Sequence, residues 1–190
     1  MRKIIVHEFI TLDGVIQAPG SPTEDTDGGF THGGWTLPYW HDDIGAHFGQ
    51  IFADADTLLL GRKTWQGHGE AFEPNPEQDP FSGFKKYVVS NTLKSADGWR
   101  DSTLINGNVI EEIRKLKSQP GKNIIMDGSS VLIHDLIAND LVDEICLHVY
   151  PLALGGGKRL FPDGKRTNFK LVESVALPTG VVYQRYQPAE

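Results

Sequence analysis

Thr57-Leu58-Leu59-Leu60-Gly61-Arg62-Lys63-Thr64-Trp65 holds the sharpest change of character in the chain. A short apolar run of this kind reads as a buried strand. It gives way within two residues to a glycine, two cations and a hydroxyl. Glycine permits a tight turn and a close approach by a ligand. A helix starting there would add free N–H groups and a favourable dipole end for an anion, with Arg62, Lys63 and the Thr64 hydroxyl as further donors. The stretch therefore reads as a phosphate seat at the end of a strand. Taken alone, it is matched by an ordinary surface strand end carrying two solvated cations.

Working outward, two later apolar runs end in similar punctuation. Lys86-Tyr87-Val88-Val89 runs into Ser90-Asn91-Thr92, and Asn123-Ile124-Ile125-Met126 runs into Asp127-Gly128-Ser129-Ser130. In an open α/β sheet, ligands sit outside the C-terminal ends of the strands. Parallel strands would place all three junctions on one edge, where one cationic corner and two hydroxyl or amide corners suit the phosphates of an extended dinucleotide. Ordinary N-capping by Ser, Asn and Thr is the competing reading.

The rest of the chain supplies the frame. Lys3 to Ile10 reads as a strand running into an Asp13-Gly14 turn. Residues 17–36 form a long loop rich in Gly, Pro, Ser, Thr and Asp, either a functional lid or a surface insertion. Leu37, Trp40, Ile44, Phe48, Ile51 and Phe52 recur at helical spacing and predict a helix over 38–55, with Pro38 in its first turn. A short helix is expected over 64–72 and a loop over 73–83. Asn108 and Glu111 have the spacing of a capping box opening a helix through Val109, Ile113 and Leu116. A further helix runs through Val131, Leu132, Leu136 and Ile137. Strands are expected over 103–105 and 143–150, and a hairpin over 169–175 and 181–186 turns at Pro178-Thr179-Gly180. Strands alternating with helices, closed by an antiparallel pair, predict one α/β domain over residues 1–190: three layers, α/β/α, with a mostly parallel central sheet and antiparallel C-terminal edge strands.

Composition narrows the function. The chain has 190 residues, 39% hydrophobic and 23% charged, as in soluble globular domains. A net charge of -7 and a pI near 5.5 argue against nucleic-acid or anionic-membrane binding, which needs a basic face. The one cysteine, Cys146, sits in a strand pattern and reads as a buried thiol in a reducing compartment. No apolar run approaches a signal-peptide core or a membrane span, so a cytoplasmic location is expected. No three-glycine dinucleotide fingerprint follows any strand, and Gly157-Lys158 continues with Arg159 rather than the Ser or Thr of a Walker loop. The seven histidines include no metal-binding pair at i, i+4, and no metal is expected. His41 and His47 around Asp42 and Asp43 read as a helix face, and His7 and His148 as satisfied sheet residues. Gly128-Ser129-Ser130-Val131 lacks the second glycine of a nucleophile elbow, although His134 lies close to Ser130 in sequence.

Gly61-Arg62-Lys63-Thr64-Trp65 after an apolar strand resembles the cofactor-binding motif of dihydrofolate reductases. Asp13-Gly14-Val15-Ile16 resembles that family's first-strand exit, and Trp35-Thr36-Leu37-Pro38 its loop-to-helix entry. The second half is more similar to the reductase domain of riboflavin-biosynthesis deaminase-reductases, through Asp127 to Leu132, Leu141 to Ile145, and Pro151 to Gly157. Together these motifs span nearly the whole chain.

The resemblance implies a dihydrofolate-reductase-like fold and NADPH as cofactor. Gly61, Arg62, Lys63 and Thr64 would take its phosphates, and Ser90 and Asn91 would lie near the adenosine. Gly128, Ser129, Ser130 and Val131 would line the pyrophosphate and ribose, with Ile16 near the nicotinamide. It further implies a hydride passed to a small pyrimidine or pterin-like heterocycle, as in 5-amino-6-(5-phosphoribosylamino)uracil reductase, in a homodimer. Asp13 is the expected substrate-side catalytic group, with Trp35, Trp40 and Asp42 as substrate-binding residues. Trp40 stands where folate reductases carry their pterin-binding acid. A dihydrofolate reductase proper, a non-catalytic nucleotide-binding module and a serine hydrolase built on Ser130 and His134 are the alternatives.

Overall fold

The structure, a computed structural model, describes residues 1–189. The strands are β1 (Ile4–Thr11), β2 (Ala55–Gly61), β3 (Lys85–Val89), β4 (Ser102–Ile105), β5 (Asn123–Asp127), β6 (Glu144–Tyr150), β7 (Phe169–Ala176) and β8 (Val182–Pro188). The helices are α1 (Asp42–Ala53), α2 (Arg62–Phe72), α3 (Val109–Ser118) and α4 (Ser130–Ala138). One eight-stranded sheet runs in the order β4-β3-β2-β5-β1-β6-β8-β7. Its pairs are parallel from β4 through β6, and β8 joins antiparallel to β6 and β7.

Strand alternation divides the core. Ile4, Val6 and Ile10 point to one face with Ile113 and Leu116 of α3 and Leu132 and Leu136 of α4. Ile5, Leu58 and Leu60 point to the other, against Ile51 of α1 and Trp65 of α2. These two faces make the expected three layers. β1, β2 and β5 are covered on both sides, so they read as continuous apolar runs rather than as alternations.

One expected boundary is displaced. Pro38 does not open α1 but sits in a short 3-10 turn, Leu37–Tyr39. Trp40 is extended, and the His41 imidazole caps the helix by accepting the Asp43 N–H. Asp42 and Asp43 fill the first turn, where the dipole favours them. Asn108 stands at the start of α3, but its amide donates to the Glu111 side chain and caps no backbone N–H. The strand expected through Thr92 ends at Val89, and residues 90–92 form a turn.

Residues 17–36 carry little regular structure but are firmly tied. Gln17, buried, donates to the carbonyls of Asp25 and Asp27. The Trp35 indole N–H donates to the Gln17 carbonyl at 2.8 Å.

Candidate functional site

Three strand tips meet on the C-terminal edge of the sheet. Gly61 is in register with Val89 of β3, and β5 flanks β2 on its other side. α2 begins at Arg62, directly after Gly61, and no side chain caps its first turn. α4 begins at Ser130, and no side chain caps that helix either. The uncapped N–H groups of both helices therefore open toward the same corner.

Ser129 joins the two tips. The Gly61 N–H donates to its hydroxyl at 2.7 Å, and that hydroxyl donates to Thr64 at 3.0 Å. The geometry needs a left-handed backbone at both Gly128 and Ser129, each with φ of 74°. A Cβ on Gly128 would lie 3.0 Å from the Thr64 hydroxyl, so this corner admits only glycine without displacement. Val131 is 73% exposed beside it, leaving an apolar surface next to the helix end. Two uncapped helix starts, a close-packed glycine corner and the Arg62 and Lys63 cations fit a dinucleotide's phosphates.

The third tip contributes less than its sequence suggests. The Ser90 side chain turns inward and accepts the N–H groups of Thr92 and Leu93, each at 3.1 Å, while Asn91 is exposed. Ser90 shapes this corner, and Asn91 is the side chain open to a ligand. Arg62, Ser90 and Ser129 thus lie on adjacent tips. Ile16 is buried in the core behind β1.

A recess of about 490 Å³ opens beside this edge, between the 17–36 loop and the Leu154–Lys158 segment, lined among others by Phe30, His32, Gly157 and Lys158. Gly157, with φ of 126°, passes so close to Val15 and Phe30 that any side chain would collide. Asp27 bridges Lys63, at the phosphate corner, to Lys158. A carboxylate of the loop therefore contacts one of the cations assigned to the cofactor. The Lys158 hydrogen bond and then that from Lys63 lower the Asp27 carboxyl to about 2.

The substrate-side residues read from sequence do not form one wall. Asp13 is turned to the glycine segment: it accepts from Thr11 and from the N–H groups of Leu154 and Gly155. The Thr11 bond in particular keeps its carboxyl low. It acts here as a brace between two loops. Trp35 is buried edge-on against Tyr150, Trp40 is 56% exposed, and Asp42 lies exposed in the first turn of α1.

A row of polar side chains lies on the α1/α2 face of the sheet and joins His7 and His148, expected as satisfied sheet residues, to His47, expected on a helix face. His7 and His148 are fully buried and face each other, Nε2 to Nδ1, at 3.2 Å. His148 Nε2 meets Nδ1 of His47 on α1 at 3.3 Å. At the other end, His7 Nδ1 lies 3.5 Å from one oxygen of Asp127, and His68 Nε2 lies 3.7 Å from the other. Burial drives His148 down to about 2, so it is neutral. Burial raises the Asp127 carboxyl, but the His68 and His7 imidazoles outweigh it and hold the group well below the carboxylate range. Glu8, on the opposite face, is pushed well up by burial and then by the Asp127 charge. The one hint in the sequence was that His7 and His148 each interrupt an apolar strand. Among the described residues, no group of three or more His, Cys, Asp or Glu is arranged to hold a metal ion. No helix among them is long and apolar enough to cross a membrane.

Comparison with known proteins agrees with this architecture. The family model described as the RibD C-terminal domain matches residues 2–183. The chain is 34% identical to the uncharacterized protein YyaP of Bacillus subtilis (strain 168), over 95% of this chain and 92% of that one. Among solved structures, a pyrimidine reductase-like protein from Corynebacterium diphtheriae superposes with a TM-score of 0.68 at 12% identity, covering 100% and 92% of the two chains. A dihydrofolate reductase from Enterococcus faecalis, complexed with NADP(H), superposes with a TM-score of 0.66 at 17% identity, covering 99% and 97%. Those two likenesses show the fold, which is dihydrofolate-reductase-like. The chain belongs to the RibD C-terminal domain family, a family of reductase type.

Proposed function

We propose that this member of the RibD C-terminal domain family is an NADPH-dependent reductase that passes a hydride to a small, flat pyrimidine or pterin-like heterocycle. The observation that carries the reading is the corner where Ser129 ties Gly61 to Thr64 between two uncapped helix starts. Arg62, Lys63 and Thr64 would hold phosphates, and Gly128 to Val131 the pyrophosphate and ribose. Asn91 would reach the adenosine end. The preference for NADPH over NADH rests on Arg62 and Lys63, the two cations that open α2, which suit an additional phosphate.

When bound, the reduced nicotinamide supplies the hydride. The residues of the corner would hold it on the sheet edge, where the 17–36 loop would shield it from water. The position where folate reductases carry their pterin-binding acid is Trp40 here, just ahead of α1. On the β5 side of the corner stands Asp127, which ends β5 directly before Gly128 and is held well below the carboxylate range. It is our substitute for Asp13 on the substrate side, and a homodimer is the proposed assembly.

Thermal denaturation with NADPH, with NADH and with neither tests the assignment, because a ligand of the native state raises the apparent melting temperature. We expect a rise with NADPH and a smaller one with NADH. No rise with either refutes it. NADPH oxidation against a panel of pterins and pyrimidines then separates a reductase from a non-catalytic nucleotide-binding module.

A further inference from the structure

Adding a hydride to a C=N or C=C bond leaves an electron pair that must take up a proton. The cofactor does not supply that proton. We infer that His68 is the proton donor of this chain, held in place by Asp127, with His7 and His148 as positioning residues for Asp127. This rests on the reductase reading above and names the group which that reading leaves open.

The placement comes from two elements at once. On α2, Thr64 and His68 are four residues apart and so share a helix face. Thr64 belongs to the cofactor corner through its bond to Ser129. On β5, Asp127 precedes Gly128, the glycine of that same corner. The His68–Asp127 couple therefore stands one helical turn and one residue away from the seat, with both side chains partly open to solvent, 27% and 22% exposed. Asp127 is kept ionised and has no proton to give. His68 faces it at 3.7 Å, too far for a direct hydrogen bond, and its Nε2 has no other partner. His7 Nδ1 is likewise without a hydrogen bond, 3.5 Å from the other carboxylate oxygen. Two buried imidazole nitrogens thus flank one carboxylate beside the seat.

The row behind Asp127 has a fixed polarity. A neutral imidazole carries one N–H, and the partner of one ring nitrogen decides which. An ionised Asp127 requires the proton of His7 on Nδ1. His7 Nε2 then accepts, so His148 donates from Nδ1. His148 Nε2 accepts in turn from Nδ1 of His47. In this arrangement every N–H in the row is directed toward Asp127, the last across 3.5 Å.

The step balances. A hydride forms the new C–H bond, the C=N or C=C π pair moves to the far atom, and that atom takes the proton leaving the His68 ring. His68 is recharged from solvent through its exposed edge. The other groups facing His68 are Phe72 on its own helix, Phe81, and Trp99 with the Lys86–Asp79 pair behind it. Asp127 faces His68 and His7 from its two oxygens, and Glu8 lies across the sheet. Tyr183 of β8 stacks on His47, and Cys146 of β6 pairs with His7 in register.

The test compares wild type with His68→Gln, using NADPH and 7,8-dihydropterin, a cyclic imine, as the probe. NADPH affinity is expected to be equal in both. Single-turnover NADPH oxidation should fall on the order of 10²-fold in the variant. The wild-type rate should decline as pH rises and the variant should lose that inflection. Equal rates, or an unchanged pH profile, overturn the proposal while leaving cofactor binding intact. Failure of wild type to bind NADPH overturns the parent reading instead. Histidine ¹⁵N NMR of the ligand-free protein decides the matter where the probe is not reduced. His7 and His148 are expected to carry a proton on Nδ1, and a His7 found as the Nε2–H tautomer leaves Asp127 without its donor and overturns the assignment.

Discussion

The Ser129 hydroxyl accepts the Gly61 N–H at 2.7 Å, linking strand tips 68 residues apart in the chain. The bond sets how far apart two helix N-termini can stand, and so sets the spacing of the anion seat. Ser129 holds it only by adopting a left-handed backbone, φ of 74°, which costs a non-glycine residue about 1 kcal/mol or more.

The two halves of that arrangement separate by substitution. Ser129→Ala keeps the strain and loses the hydrogen bonds, and should destabilise by about 1–2 kcal/mol in urea denaturation. Ser129→Gly loses the same bonds but relieves the backbone, so its stability should stay within about 0.5 kcal/mol of wild type. Both should weaken NADPH binding equally, as read by cofactor fluorescence.

Arg62→Ala and Lys63→Ala should each raise the NADPH dissociation constant about 5- to 20-fold, equivalent to roughly 1–2 kcal/mol. Neither side chain is in the core, so melting temperatures without cofactor should not move. The loss should shrink as ionic strength rises.

Asp27 clasps Lys63 and Lys158 together, and its folded carboxyl lies at about 2 against an ordinary 3.8. A depressed carboxyl stabilises the clasp fully above the unfolded value, and the effect is lost as pH falls from about 4 through about 2. Asp27→Asn should accelerate hydrogen exchange across residues 17–36 at neutral pH. It should also tighten NADPH binding modestly, because Lys63 no longer faces a competing carboxylate. Unchanged exchange would show that Gln17 and Trp35 alone hold the loop.

Lys86 and Asp79 are fully buried side chains 3.9 Å apart, with the Lys86 ammonium over Trp99 and near the carbonyls of Phe81 and Phe84. Burial lowers the Lys86 amine, and Asp79 acts against that. Asp79→Leu should cost about 3–5 kcal/mol by stranding the lysine. Lys86→Met combined with Asp79→Leu should recover most of the loss. Denaturant midpoints of the two variants decide it.

Much of this fold was readable because its strands are short apolar runs bounded by Gly, Pro or charge, as at Leu58 to Gly61 and Ile124 to Gly128. The start of α1 was not. Pro38 and the apolar spacing through Trp40 favoured an early start, whereas the Asp42-Asp43 pair behind His41 carried the real signal. The cofactor corner was legible as composition at three junctions, but not as geometry, since nothing in Ser90 announced that its hydroxyl closes its own turn. The His7, Asp127 and His148 constellation was invisible because its members are far apart in the chain. Only parallel register, His7 beside both Asp127 and Cys146, brings them together.

The central place of β1 has a consequence for how the chain comes to be folded. β1 is made first, yet its ladder partners start at Ile124 and Glu144. Closing contacts that distant in sequence slows the search for the native state. During synthesis the β2–β3–β4 half can pair while Ile4, Ile5 and Val6 still await their neighbours. A nascent chain that stops short of β6 therefore leaves this strand uncovered on one edge, a natural target for a chaperone or for misassociation.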